Sequence, residues 1–264
     1  MNEETESSPP LVGRRTVVLG GTGSVGEHFV RAHLSAGADV IVPSRTEARA
    51  ALLRDDPVVR SLQPGPRMLV GDYVSFAGAE STAEVILAEH GPVDHVVATL
   101  GSWWSGAPFW GVDETTWQRY FIEVTSAYAA AARAWLPRLS PDGTLQLVIG
   151  ASGVVPVPGA SVISMAQSSL VMMRRVIAEE AGDARRVFSI VLGNLNLRRR
   201  GWRRPDFVDA DDATTLSVAL AHGAQRSAEF VLRRPEQAKT ALAELSSDVR
   251  IPAHSGRTPA EDAS

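Results

Sequence analysis

Residues 16–45, TVVLGGTGSVGEHFVRAHLSAGADVIVPSR, leave a chain few folds to choose from. The uncharged run Thr16-Val17-Val18-Leu19 enters a glycine-rich turn, an amphipathic stretch follows, and a second apolar run, Val40-Ile41-Val42, closes the segment. That is the order strand, glycine turn, helix, strand. Gly20, Gly23 and Gly26 have the spacing of a dinucleotide fingerprint, in which one glycine makes the tight turn, one lets the backbone approach a pyrophosphate and one lets helix pack on strand. The pyrophosphate would sit on the helix N-terminus, where unpaired N–H groups and the helix dipole favour an anion. Thr22, Ser24 and Val25 belong to the same expected cradle.

The rest of the composition narrows the function. A chain of 264 residues, 44% hydrophobic and 21% charged, suits one sizeable α/β domain. A net charge of -4 gives no general attraction to nucleic acid or to an anionic membrane. Cysteine is absent, which excludes disulfides, thiolate metal sites and cysteine nucleophiles. The six histidines show no metal-like spacing, and His28 and His33 are expected on the outer face or rim of the first helix, so no metal site is expected. No apolar run approaches the roughly 20 residues of a membrane span. The acidic, polar start MNEETESSPP is unlike a secretory signal, and a cytoplasmic location is the expectation.

Along the chain, residues 1–10 and 251–264 read as disordered tails around a domain over residues 11–250. A short helix interrupted at Pro57 follows the opening unit, then a strand at residues 68–70, a helix over 77–90 and a strand over 93–99. Asp113 is a good N-cap for a helix over residues 115–139, because Trp117, Phe121, Val124, Tyr128, Ala131 and Ala132 recur at helical spacing. Strands at 145–149 and 187–192 flank a helix over 161–181. Asp209 is expected to cap a helix ending near Ala221, and a strand at 229–232 and a helix over 235–245 close the domain. Strands alternating with helices imply a parallel sheet of about seven strands covered on both faces, a doubly wound Rossmann fold.

The order and spacing of these landmarks resemble the short-chain dehydrogenase/reductase family from Thr16 to about Leu232. Asp72-Tyr73 resembles the strand-end aspartate segment that holds the adenine. Ala98-Thr99-Leu100-Gly101 lies where the family has Asn-Asn-Ala-Gly, Ile149-Gly150-Ala151-Ser152 where its catalytic serine closes strand five, and Leu192-Gly193 where it has Pro-Gly. The glycine turn has the spacing of the extended or atypical branches, with Ser24 where the commonest members carry a middle glycine. The resemblance implies an oxidoreductase with a nicotinamide cofactor, a small-molecule substrate and a homodimer or homotetramer paired through the helices over 115–139 and 161–181. Cofactor choice is argued from the end of strand two: in place of the acid that accepts bonds from a ribose 2′-OH stands Ser44-Arg45, a hydroxyl and a guanidinium suited to a 2′-phosphate, which favours NADP(H) over NAD(H).

At the catalytic centre the resemblance breaks. Aligned on the family's tyrosine and lysine stand Ile163 and Gln167, neither able to donate a proton or to lower a neighbour's pKa by charge. Thr125 takes the helix asparagine's place, and only Ser152 survives as a catalytic group. Gln167 could still bond the nicotinamide ribose. Tyr128, one turn beyond Thr125, is expected to be a core aromatic. Trp103, Trp104 and Trp110 follow Gly101, where this fold lines its substrate pocket, and suggest a flat, apolar or aromatic ligand; Trp103, Trp104, Thr125, Ile163 and Trp202 are the expected pocket residues. The basic run Arg198–Arg204 falls where the family has its substrate lid, either gripping an anion or lying solvated.

The expected activity is that of an NADP(H)-dependent oxidoreductase transferring hydride to an activated acceptor such as an iminium, enone or quinone, since hydride addition to a cationic acceptor leaves no oxyanion to protonate. A non-redox cyclase or isomerase, or a nucleotide-binding regulatory protein that has lost turnover, are the alternatives.

Overall fold

The structure is a computed structural model that describes residues 9–247. The expected tails lie outside the described residues except for Pro9 and Pro10, and Leu11 is already fully buried. In chain order the elements are β1 (Arg15–Leu19), α1 (Gly26–Ser35), β2 (Asp39–Ser44), α2 (Glu47–Arg54), α3 (Pro57–Arg60), β3 (Arg67–Val70), α4 (Phe76–His90) and β4 (Val93–Ala98). There follow α5 (Glu114–Trp117), a π turn (Gln118–Ile122), α6 (Glu123–Trp135), β5 (Leu139–Gly150), α7 (Ser161–Ala181) and β6 (Arg186–Leu192). The described residues close with the short strands β7 (Leu195–Asn196) and β8 (Val208–Asp209), then α8 (Ala210–His222), β9 (Glu229–Leu232) and α9 (Pro235–Ser247).

A parallel seven-stranded sheet, ordered β3-β2-β1-β4-β5-β6-β9, forms the middle layer. Side chains alternate along each strand, and the two faces bury separate cores. Val17, Leu19, Leu145, Leu147 and Ile149 point into the layer containing α4, α6 and α7, whereas Val18, Val40, Val42 and Val148 meet α1, α8 and α9. Strand order reverses between β1 and β4, the switch point at which open α/β sheets leave a crevice beyond their carboxyl ends.

The interruption expected at Pro57 is real: Asp56 accepts the Val58 and Val59 N–H bonds and caps α3, with Pro57 at its first position. The single helix expected over residues 115–139 is corrected. Asp113 caps α5 as expected, but a π turn separates α5 from α6, and Leu139 already belongs to β5. Asp209 precedes α8 without a capping bond; its Oδ1 accepts instead from the Asn196 side chain at 3.0 Å and from Arg203.

The expectation of rim positions for His28 and His33 is also overturned. His33 is completely buried between α1, β1 and α8, with Nδ1 3.1 Å from Thr16 Oγ1 and Nε2 3.0 Å from Ser217 Oγ. Ser217 donates to Gln146 Oε1 at 2.6 Å, so it accepts from His33 Nε2–H, and Nδ1 accepts from Thr16. The sheet surface beneath α1 and α8 carries this closed polar network because the helix supplies a histidine where an aliphatic residue would take away the acceptor for the Thr16 hydroxyl.

Candidate active site

Two glycines of the turn are fixed by sterics. Gly20 has φ +78°, and a Cβ there would stand 2.4 Å from the Thr99 carbonyl oxygen. A Cβ on Gly26 would stand 2.2 Å from the Gly20 oxygen, so the first turn of α1 lies directly on the end of β1. Gly23 has open space apart from that same oxygen at 3.2 Å. No side chain caps the N-terminus of α1. The bare helix start and the backbone that no Cβ shields are the fit for a pyrophosphate.

A cleft of about 520 Å³ opens beside this turn, at the carboxyl ends of β1, β4, β5 and β6. It brings Gly23, Ser24, Val25 and Gly26 together with Thr99, Gly101, Trp103, Ser152, Ile163 and Gln167, residues drawn from four separate parts of the sequence. Thr99 bonds the Leu19 carbonyl through both its N–H and its hydroxyl, locking β4 to β1. Gly101 takes φ +95°, a conformation that suits glycine. Trp103 forms the outer rim, 61% exposed, on a loop held by the Gly106 N–H bond to the Gly159 carbonyl.

Ser152 stands in the tight turn after β5 and is buried, and its hydroxyl has no bonding partner in the structure. Unmade bonds of this kind are uncommon in native interiors. Ile163 is 1% exposed and packs against Phe121 and Val157 as well as facing the cleft. Gln167 Oε1 accepts the Gly150 N–H at 2.6 Å, which leaves only the donor end of its amide for a ligand. The chain has a single lysine, Lys239, on α9, and none of its three tyrosines lines the cleft. Tyr128 is a strut, as expected: its hydroxyl donates to the Val148 carbonyl and accepts the Leu100 N–H at 3.1 Å, and burial pushes its pKa well above the usual phenol value.

Several expected pocket residues lie elsewhere. Thr125 does not line the cleft; its hydroxyl donates back to the Phe121 carbonyl at 2.8 Å, in the adjoining π turn. Trp104 packs 6.1 Å from Tyr120, and Trp202 stands edge-on to Phe207 at 5.9 Å. Neither lines the cleft.

The expected adenosine residues sit outside the cleft, at the ends of β2 and β3. Ser44 is fully buried and its hydroxyl donates to the Thr46 carbonyl at 2.9 Å, so it offers no free donor. Arg45 is exposed and pairs with no carboxylate among the described residues; the same holds for Arg49 on α2, a cation that the sequence pattern did not single out. Asp72 turns toward α4, accepting the Val74 and Ser75 N–H bonds, and the Ser75 hydroxyl together with these N–H groups holds its carboxyl below the usual range. Tyr73 is buried with its hydroxyl against the Gly20 N–H, and burial raises its pKa. Thr22 and Gly20 likewise shape the turn without lining the cleft.

Residues following β6 complete the wall: Gly193, Asn194, Leu195, Leu197 and Arg200. The Leu192-Gly193 landmark pointed to this segment, but not to its individual side chains. A smaller cavity of about 310 Å³ adjoins across Ser152 and Asn194 and carries Arg233 and Arg234. Of the basic run, Arg198 and Arg199 both grip Glu27 and Asp56, at 2.6–3.0 Å. Burial opposes ionisation of Asp56, yet the bonds from Arg198, the Val58 N–H and Arg199 hold its carboxyl down at about 2. His28, 3% exposed, accepts the Arg198 N–H at Nε2 and reaches Asp211 through Nδ1. Among the described residues no group of three or more metal-ligating side chains could hold an ion, and no helix is long and apolar enough to cross a membrane.

Comparison with known proteins agrees with this architecture. Residues 20–215 match the family profile described as Enoyl-(Acyl carrier protein) reductase. Cis-2,3-dihydrobiphenyl-2,3-diol dehydrogenase of Paraburkholderia xenovorans is 26% identical over 196 residues, covering 72% of this chain and 69% of that protein. Among solved structures, a metagenomic short-chain oxidoreductase in complex with NADP superimposes with a TM-score of 0.72 at 22% identity, covering 85% of this chain and 98% of the other. An NADPH-bound short-chain oxidoreductase from Pseudomonas aeruginosa containing an atypical catalytic center gives 0.74 at 20% identity, covering 84% and 95%. With the sheet order, the glycine turn and a profile match over most of its length, the chain belongs to the short-chain dehydrogenase/reductase family.

Proposed function

We propose that the protein is an NADP(H)-dependent oxidoreductase acting on a small, apolar or aromatic, activated acceptor, without the tyrosine acid of its family. The observation that carries this reading is the composition of the cleft. It joins an uncapped helix N-terminus and glycine backbone to the unpartnered Ser152 hydroxyl, while Ile163 and Gln167 occupy the wall and the lining includes no acid or base other than Arg200.

The backbone at Gly23 to Gly26 would hold the pyrophosphate, Thr99 and Gly101 would border the nicotinamide, and Gln167 would offer an N–H donor to its ribose. Arg45 and Arg49, both without carboxylate partners, would hold a 2′-phosphate at the end of β2. The cofactor, when bound, supplies hydride exchange at an electrophilic carbon. The chain's own contribution is then orientation and exclusion of water by the Trp103 rim, and one hydrogen-bond donor, Ser152, toward a developing negative oxygen. An iminium needs no proton; an enone or quinone would take one from water or from Ser152. That a structural neighbour with an atypical catalytic center binds NADPH supports a working nucleotide site beside an altered centre.

Two measurements test the reading. Arg45→Ala is expected to weaken NADPH binding by about 1.5–3 kcal/mol, the worth of a charge-assisted contact, and to spare NADH; equal losses in a calorimetric titration would refute the cofactor assignment. NADPH oxidation followed by absorbance is expected with iminium, enone or quinone acceptors and to be negligible with simple ketones and aldehydes, because loss of a general acid costs roughly 10²–10⁴-fold. Turnover of unactivated ketones at rates typical of the family would overturn the mechanism, and the double variant Ile163→Tyr with Gln167→Lys would gain such turnover if only the acid is missing.

A further inference from the structure

The arginines after β6 fall into two groups. Arg198 and Arg199 are each held by Glu27 and Asp56, Arg203 by Asp209, and Arg204 by Asp206 at 3.3 Å. Arg200 has no carboxylate partner among the described residues; its guanidinium lies 5.4 Å from the centre of the Trp202 ring. It is also the only ionisable side chain lining the 520 Å³ cleft, and no aspartate or glutamate shares the wall with it.

The segment that carries Arg200 is anchored at both ends. Asn196 closes its base, donating to the Arg204 carbonyl at 2.9 Å and accepting the Arg204 N–H at 2.8 Å. The Glu27 and Asp56 pairs pin the two preceding residues to α1 and α3, and the Arg200 N–H bonds the Leu197 carbonyl at 3.0 Å. A solvated basic loop would not be tied in this way. Four cations are neutralised locally, and the fifth is presented unpaired at the cleft on a backbone that is held on both sides. The cofactor pyrophosphate has its own provision at the start of α1, which leaves Arg200 for a second anion.

We infer that Arg200 is a substrate-specificity residue that binds an anionic group, a carboxylate or its equivalent, on an otherwise apolar or aromatic substrate. A guanidinium meets a carboxylate by two parallel bonds, whereas a neutral amide offers one acceptor and no charge. The inference rests on the proposed function for the role of the cleft, but its test does not need turnover.

The experiment titrates 2-naphthoate and 2-naphthamide into the full chain by calorimetry, with and without saturating NADPH, for the wild type, Arg200→Gln and Arg200→Lys. Arg200 is exposed, so neither variant threatens folding. The wild type is expected to prefer the carboxylate by roughly tenfold or more, Arg200→Gln to abolish the preference, and Arg200→Lys to keep part of it, with NADPH affinity unchanged throughout. A wild type that binds neither probe or does not discriminate, or a preference that survives in Arg200→Gln, would overturn the inference. So would a loss of NADPH affinity in Arg200→Gln as large as the loss for naphthoate, because Arg200 would then serve the cofactor. Absence of NADPH binding by the wild type would instead refute the proposed function, while the carboxylate preference of the free protein would still decide the anion site.

Discussion

His33 and His95 are both kept neutral by burial, which lowers the pKa of His33 to about 3 and that of His95 to about 4; the His95 ring further disfavours charge on His33. An unfolded histidine titrates near 6.5, so between that value and the folded one the unfolded chain binds more protons, and stability falls as pH falls. Each ring contributes about 1.4 kcal/mol per pH unit across its window. Urea midpoints are therefore expected to drop steeply from pH 6.5 toward 4, and His33→Asn to make the dependence shallower whatever it does to stability at pH 7. An unchanged slope in that variant would show that His33 is not the titrating group. The sequence could not reveal this burial, because the partners Thr16 and Ser217 come from β1 and α8 and a histidine on an amphipathic helix reads as a boundary residue. The same limit applies to Trp104, Trp202 and Thr125: residue type and position suggested a pocket, but the nearest partners, Tyr120, Phe207 and the Phe121 carbonyl, turn each of them elsewhere.

Elements were more legible than side chains wherever the local pattern has one physical solution. The glycine turn is such a case, and its sterics give a direct test. Gly26→Ala places a methyl 2.2 Å from the Gly20 oxygen and 2.7 Å from Thr99 Oγ1, whereas at Gly71 a methyl would meet nothing within 4 Å. Forcing atoms into packed space costs typically about 1–3 kcal/mol. Gly26→Ala should lose at least that much stability together with its nucleotide affinity, and Gly71→Ala should lose neither; equal melting temperatures for the two variants would mean that the turn is not packed as described. The π turn at Gln118–Ile122 was not legible for a related reason. Apolar residues alternating at spacings of three and four satisfy a continuous helix on average, and one inserted residue leaves that pattern intact.

At the scale of the whole molecule, alternating strand and helix patterns led to the parallel doubly wound sheet, because buried strands and right-handed crossovers leave little choice of topology. What covers the outside is not encoded so locally. α7 exposes Met172 (55%) and Val176 (45%), one turn apart on a helix whose other face is buried against β5 and β6, and no described element covers them. We predict a two-fold contact in which α7 meets its symmetry mate, so that both copies of each exposed side chain are buried by one geometry. Sedimentation velocity at micromolar concentration should show a dimer or tetramer of the 28.2 kDa chain. Met172→Glu with Val176→Glu sets like charges against each other across the axis and should dissociate it without lowering the stability of the subunit by more than about 1 kcal/mol, since both positions face solvent in the monomer. A wild type that sediments only as a monomer, or an assembly that survives both glutamates, would place the contact elsewhere.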